Sequence, residues 1–591
     1  MTKRSRTEHQ PPPLVQVVPG LAQIVGSLAL LGPLLAAMSI RALVDRLVPM
    51  QRERKDGLSH GQIVEILIAN RLIAPRPLSR IEQWAESQGV SAMFGIEPES
   101  LNDSRIGRTL DALTDGWDPA SGLAPPLLEE LQTQITLHFM QRFQIEPNEL
   151  GYDTTSLYFE GDYDESELIR LGYSRDHRPD LKQVVMGVSA TLEEGVVVHG
   201  RLYPGNRADS TTTLEVLEKL KALAPSTERR VLITTDRGMM TPKAVHTLIA
   251  QGESFIGTLD ATKAQLDVLR ALPEESFLPA TSREGYRVCE SSVDMVDPGK
   301  SGEAPVRVPV RAVAVWAPGK AERDRKARDR ALGRIDKRVF AIAEKLGERR
   351  YKNLDYAKKQ VEAVFSGDLR PYRRLYAIDY LPGEEEGTTV GMVIAQDIRS
   401  YERLRELDGR YFIITSLPEA SYDASAILEC YKRRDVCEQS MRILKTDLKV
   451  RPIFLHNDNR VAALAYLTVF ALMIFTLLTA LAKRLGLGTT ARHVFDRFWS
   501  VTFVSSASPT ANGCRPSSIS VHLNSRCFKP SAYLPHSHPE SHEALLTKTG
   551  SKRSRACGAV SGVRPKSSST NRSHRARPRK KRIQPPCALA P

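Results

Sequence analysis

The feature that most restricts how this chain can fold is a change of hydrophobic period near residue 147. Before it, apolar residues recur at helical spacing. After it they alternate or run in short blocks. NELGYDTTSLYFEGDYD alternates as a strand with Asp153 near its centre. VVMGVSAT and GVVVHGRLYPGN are two further strands, and the acidic glycine turn EEG between them signals a hairpin. DSTTTLEVLEKLKAL is helical, RRVLITTDRGM is a short buried strand ending at Asp236, TPKAVHTLIAQG is a helix and SFIGTL a strand. Three antiparallel strands followed by alternating helices and parallel strands predict a mixed α/β sheet with helices on its faces.

The flanks divide the chain further. Residues 1–125 read as mostly short helices, among them LSHGQIVEILIANRLI with a serine N-cap candidate. Such helical pairs either bind DNA or simply pack, and the pattern leaves both open. Residues 126–260 hold the first part of the α/β core. Residues 261–420 hold alternating strands around one long charged helix near 320–365. From Lys320 to Lys352 there are 13 Lys+Arg against 6 Asp+Glu. This is either a solvated helix laced with ion pairs or a phosphate-contacting face. Residues 421–500 hold a strong helix, YDASAILECYKRRDVCEQSMRILKTDL, and then Val461–Ala482, which is 22 residues without charge. That run is long enough to span a bilayer but reads here as the buried helix of a large core. Gln10–Ile40 is also uncharged and follows a basic start. Pro19 and Pro33 interrupt it, and no convincing cleavage site follows.

Composition matters chiefly for what it excludes. With 41% hydrophobic and 26% charged residues, wholesale disorder is ruled out. The formal net charge of +14 does not describe the whole chain. The last 91 residues carry 16 Lys+Arg against 2 Asp+Glu, so residues 1–500 are neutral. That segment, 501–591, holds 17 Ser, 10 Pro and 4 Cys without periodicity. It reads as a disordered basic tail or as a shifted reading frame, expected to pack against nothing. Outside it, Cys289, Cys430 and Cys437 have no metal-ligand spacing and read as reduced structural thiols.

Three acids stand where a sheet of this order would gather them. Asp153 is on the first strand, Asp236 closes the fourth, and Glu438 is on the helix after 420. Each alone is better explained by a cap or turn. Together, clustered carboxylates repel unless a cation neutralises them, and hard oxygen ligands suit Mg²⁺. On the same helix Tyr431, Arg434, Glu438 and Lys445 are separated by 3, 4 and 7 residues. A regular helix would place them within roughly 60° of one another. Such a face either carries structural ion pairs or holds a metal and clamps phosphates around it.

The spacing Y-x2-R-x3-E-x6-K, here YKRRDVCEQSMRILK, resembles the YREK signature of bacterial insertion-sequence transposases with a DDE triad. LGYDTTSLYFEG, LGYSRDHRPDLKQVVMGV, GRLYPGNRADSTT, TTDRGM and DGRYFIITS are similar to further motifs of that family, over about residues 35–485. The resemblance implies an RNase H-like mixed sheet flanked by helices, with a β-rich insertion before the last catalytic helix. It implies Asp153, Asp236 and Glu438 as catalytic metal ligands for two Mg²⁺ ions, with Mn²⁺ as a substitute. It implies Tyr431, Arg434 and Lys445 as DNA contacts near the scissile phosphate. The function it implies is strand cleavage by water, then attack of the freed 3′-hydroxyl on target DNA, by a homodimer on DNA in a bacterial cytoplasm, nucleoid-associated, with no membrane partner. The rival readings are an RNase H-like nuclease without strand transfer and a defective copy that binds element ends and inhibits transposition. The sequence departs from the family where the match fades, at about 490–500.

Overall fold

In the computed structural model, which describes residues 22–50, 57–223, 232–299, 304–505 and 519–522, nine strands form one mixed sheet. They are β1 (Glu149–Tyr158), β2 (Gln183–Thr191), β3 (Val197–Pro204), β4 (Leu232–Thr235), β5 (Ser254–Thr258), β6 (Leu278–Pro279), β7 (Arg287–Asp297), β8 (Val306–Trp316) and β9 (Arg410–Thr415). Their order is β3-β2-β1-β4-β5-β9-β8-β7-β6. β1, β4 and β5 run parallel, and every other neighbouring pair is antiparallel. The uninterrupted runs of β2 and β4 are buried at every position, as strands covered on both faces should be. The EEG turn joins β2 to β3 with Gly195 at φ +73°, a conformation that favours glycine. The first and fourth strands are neighbours, as the element order predicts. Gly151 pairs with Thr234, so two residues further on Asp153 is level with Asp236.

Asp153, Val188 and Gly200 are cross-strand partners and share one face of the sheet. The helices Asp435–Thr446 and Asp458–Arg484 cover that face. Both come in unusually close. A Cβ on Gly151 would lie 2.8 Å from Cys437 Sγ, and one on Gly200 2.6 Å from Val469 Cγ1. Helix Asp458–Arg484 is apolar enough to cross a membrane, but its apolar stretch is wholly buried in protein. Val197 N–H donates to Thr476 Oγ1 at 3.0 Å, and Tyr466 hydroxyl donates to Glu129 at 2.8 Å. It is therefore the central core helix that the sequence suggests.

The N-terminal helices share this core. His60–Ile73 starts at Ser59 with a full capping box to Gln62. It is buried on nearly every side, so it packs in the interior and offers no free face to a DNA groove. Leu28–Ala37 and Ile40–Leu47 meet at 53° and bury Leu28, Leu31, Leu35 and Ile40. Residues 1–21 lie outside the described residues.

Three expectations need correction. Residues 261–420 are not a separate β-rich insertion throughout, because β7, β8 and β9 extend the main sheet by backbone pairing that no side-chain pattern announces. Only the stretch from about 318 to 405 builds its own core, including Ile335, Val339, Val361 and Leu375. Within it the long charged helix is two helices, Pro318–Ala343 and Leu354–Val364, separated by a turn through Gly347 at φ +85°. Finally, the chain from 501 onward does not pack against nothing. Val25 and Gly26 N–H donate to Val501 carbonyl at 2.9 and 3.0 Å. Thr502–Ser505 pairs with both Ala22–Ile24 and Ile519–His522, because an open strand edge offers partners to a short apolar segment. The remainder of 506–591, with its four cysteines, lies outside the described residues. Cys289, Cys430 and Cys437 are free and buried.

Candidate active site

Three elements deliver three carboxylates to one end of the parallel strands. β1 carries Asp153, whose Oδ1 accepts from Thr154 N–H at 2.8 Å. Asp236 follows β4 directly. Its Oδ1 is 3.4 Å from both Tyr431 hydroxyl and Thr258 Oγ1, at the end of β5. Glu438 lies on the helix that crosses β1 and β2.

That helix departs from the expected single rod. It is two segments, Ala424–Arg433 and Asp435–Thr446, joined through Arg434. Arg434 keeps right-handed dihedrals, φ −56° and ψ −17°. The join is tightened by an i→i+3 bond, Cys437 N–H to Arg434 carbonyl at 2.8 Å. Glu438 remains one turn beyond Arg434, so the spacing still brings the two together.

The Arg434 guanidinium stands at the meeting point. Its Nη1 is 3.3 Å from Asp153 Oδ2, and its Nη2 is 3.7 Å from Asp236 Oδ2 and 3.2 Å from Glu438 Oε1. Arg434 is 5% exposed, whereas the side chains of Asp236 and Glu438 are 46% and 57% exposed. Burial pushes the Asp153 carboxyl up, Arg434 pulls it back, and Asp236 pushes it up again. Burial acts to lower the Arg434 pKa, but Asp236, Tyr431 and Asp153 outweigh it and hold the guanidinium charged. The Tyr431 hydroxyl is raised by burial and then by Asp236, so it is a neutral donor.

Lys445 is engaged elsewhere. Its Nζ pairs with Asp176 at 2.9 Å, and Arg451 pairs with the other oxygen at 2.8 Å. Burial lowers the Lys445 pKa, and Asp176 partly restores it. The structure thus gathers Asp153, Asp236, Glu438, Arg434 and Tyr431 into one cluster, and ties Lys445 to the loop between β1 and β2. Sequence reasoning missed Asp176 and also Asp209, which pairs with Arg175 and accepts from Thr154 Oγ1 at 2.8 Å. Both lie inside the quoted motifs SRDHRPD and NRADS, but nothing local shows which cations they meet.

Among the described residues no three His, Cys, Asp or Glu side chains are drawn close enough to hold an ion as they stand. The donor set nevertheless fits a hard divalent cation. Three carboxylates converge with one guanidinium as their shared counter-charge, and two of the three are open to solvent.

Residues 153–474 match a family model described as "Transposase DDE domain", and residues 22–116 match a domain of unknown function, DUF4277. The chain belongs to the DDE transposase family. It is a DNA transposase, and enzymes of this family cleave and transfer DNA strands with divalent metal ions. Among solved structures, the chain is similar to a piggyBac transposase synaptic complex with hairpin DNA (10% identity, 80% of each chain, TM-score 0.36). It is also similar to a Mos1 transposase paired-end complex with left transposon end (12% identity, 37% of this chain and 64% of that one, TM-score 0.14). No curated protein matches.

Proposed function

We propose that the sheet is the RNase H-like core of an insertion-sequence transposase, in which Asp153, Asp236 and Glu438 hold two Mg²⁺ ions, with Mn²⁺ as a substitute. The observation that supports this most is the convergence of carboxylates from β1, the end of β4 and a distant helix on a single guanidinium. When bound, such ions supply charge stabilisation for in-line displacement at phosphorus. The chain's own groups then position the DNA. Arg434 offers a planar fork beside the carboxylates, suited to a non-bridging phosphate oxygen. Tyr431 presents a neutral hydroxyl next to Asp236, and Lys445 adds a cation two turns beyond Glu438. In the first step water attacks phosphorus and the P–O3′ bond breaks, freeing a 3′-hydroxyl. In the second that hydroxyl attacks a target phosphate, with the target's own P–O3′ bond breaking.

The partners are the element's ends and target DNA, with a homodimer acting on DNA in the cytoplasm in association with the nucleoid. In domain terms, residues 126–260, the strands β7, β8 and β9 and residues 421–500 form the catalytic core, and residues 1–125 are a helical region available to DNA through its outer surface. The test is a cleavage and strand-transfer assay with Mg²⁺ on DNA carrying the element's ends. Asp153→Asn, Asp236→Asn and Glu438→Gln should each lose cleavage by about four orders of magnitude, roughly 5.5 kcal/mol, with DNA binding kept. Retained cleavage in any of them removes that residue from the mechanism. Cleavage without transfer would reduce the protein to a nuclease.

A further inference from the structure

The helix Pro318–Ala343 has two faces of opposite chemistry. Ala331, Leu332, Ile335 and Val339 are buried. On the other side Arg323, Arg330 and Lys337 recur every seven residues, which turns only about 20° per step and makes a straight stripe roughly 21 Å long. All three are exposed. Much of the helix's remaining charge is consumed internally: Lys320 pairs with Asp324, Arg325 and Lys326 with Glu322, and Arg328 with Asp408. Among the described residues no carboxylate pairs with Arg323, Arg330 or Lys337. Arg330 makes one bond, Nε to Lys326 carbonyl at 3.1 Å.

The fold also says where this stripe lies. Ile413 of β9 pairs with Thr258, the β5 residue that touches Asp236, so the start of β9 projects beyond the carboxylate end of the sheet. Trp316, the last residue of β8, pairs with Arg410 at that same end, and the helix begins two residues later. It is anchored there by Arg328 to Asp408 at 2.6 Å and by Gly409 N–H to Asp324 at 2.9 Å. Unneutralised cations in line, fixed to the sheet end that carries the acids, match a duplex backbone running out of the site.

We propose that Arg323, Arg330 and Lys337 form a sequence-independent docking surface for the phosphate backbone of DNA held at the carboxylates. The inference rests on the transposase reading above. The experiment measures the salt dependence of binding of the full chain to a labelled duplex, for the wild type and for the triple variant R323Q/R330Q/K337Q. Each lost phosphate contact lowers the slope of log affinity against log salt by about 0.9, so the triple variant should lose about 2.7. A matched triple neutralisation of the internally paired Lys320, Arg325 and Lys326 should lose less than half of that. Melting of the R323Q/R330Q/K337Q variant should be unchanged, since none of its three residues is buried. An unchanged slope overturns the docking surface and leaves this face to another partner, as do equal losses in the two triples. The two readings fail separately: cleavage that depends on Asp153 with an unchanged slope sinks only this surface, whereas Asp153→Asn with full cleavage sinks the catalytic assignment whatever the slope.

Discussion

Around Glu129 cations outnumber acids, and around Arg434 acids outnumber cations. Glu129 is buried, accepts from Tyr466 hydroxyl at 2.8 Å and pairs with Lys219 at 3.4 Å. Beside it Arg201 and Arg207 both pair with Glu215. Two carboxylates meet three cations, and Glu129 itself is buried between its own helix, Pro126–Phe143, and Tyr466 of the helix Asp458–Arg484. At the sheet's other cluster three carboxylates meet one guanidinium, and two of the three open to solvent. The difference separates structure from function. A cluster whose acids are answered by its own cations asks for no further charge, whereas an acid-rich one is completed only by added cations.

The sharpest way to break this comparison is to remove the central partner of each cluster. Glu129→Ala leaves the buried Tyr466 hydroxyl without its acceptor, and should cost about 1–3 kcal/mol in urea unfolding. Arg434→Ala leaves the half-buried Asp153 uncompensated and should cost more, about 3–5 kcal/mol. Measured against the wild type at the same Mg²⁺ concentration, the ion should close most of the deficit of Arg434→Ala and leave that of Glu129→Ala unchanged. Equal restoration in both variants would erase the distinction.

A somewhat smaller effect tests the Glu129 cluster through pH. His199 is fully buried, and its pKa is pushed down to about 4, by burial first and then by Arg201 and Lys219 against the pull of Glu129. The unfolded chain takes up that proton near the ordinary value of 6.5 and the folded chain does so only near 4. Stability is therefore fully present above pH 6.5 and falls as pH drops toward 4, by ~3 kcal/mol. Chemical denaturation across this window should show the slope in the wild type and not in His199→Gln. The smallest effect concerns the open cluster. At about 100 times its dissociation constant, Mg²⁺ should stabilise the wild type by ~2.7 kcal/mol. Asp153→Asn and Asp236→Asn should lose this gain in thermal melting, and a gain kept in both would place the ion elsewhere.

Much of the candidate site was legible because its signals are local. Asp153 and Asp236 lie in or directly after strands whose short apolar runs are plain, and Glu438 lies one helical turn from Arg434. The strand order around them followed from element order alone. The partners of Lys445 and Arg175 were not legible, since Asp176 and Asp209 reach them across loops whose shape no period encodes. The break at Arg434 was also hidden, because no glycine or proline marks it. Nor does the spacing show that the Arg434 guanidinium, expected as a DNA contact, also stands between the three carboxylates.

What the sequence determined by itself is therefore the set of elements and their chemistry: alternating runs that must pair, a 22-residue uncharged run that must leave water, and acids spaced on strands and helix. What only the tertiary structure decided is where each goes. The apolar run could enter a bilayer or a core, and the choice fell to the core because the N-terminal helices and β3 cover it. The strands β7, β8 and β9 could form a separate domain or extend the sheet, and backbone hydrogen bonds, which carry no residue code, joined them to β5. Periodicity reports which face of an element avoids water, and the identity of the surface that covers that face is a property of the whole chain.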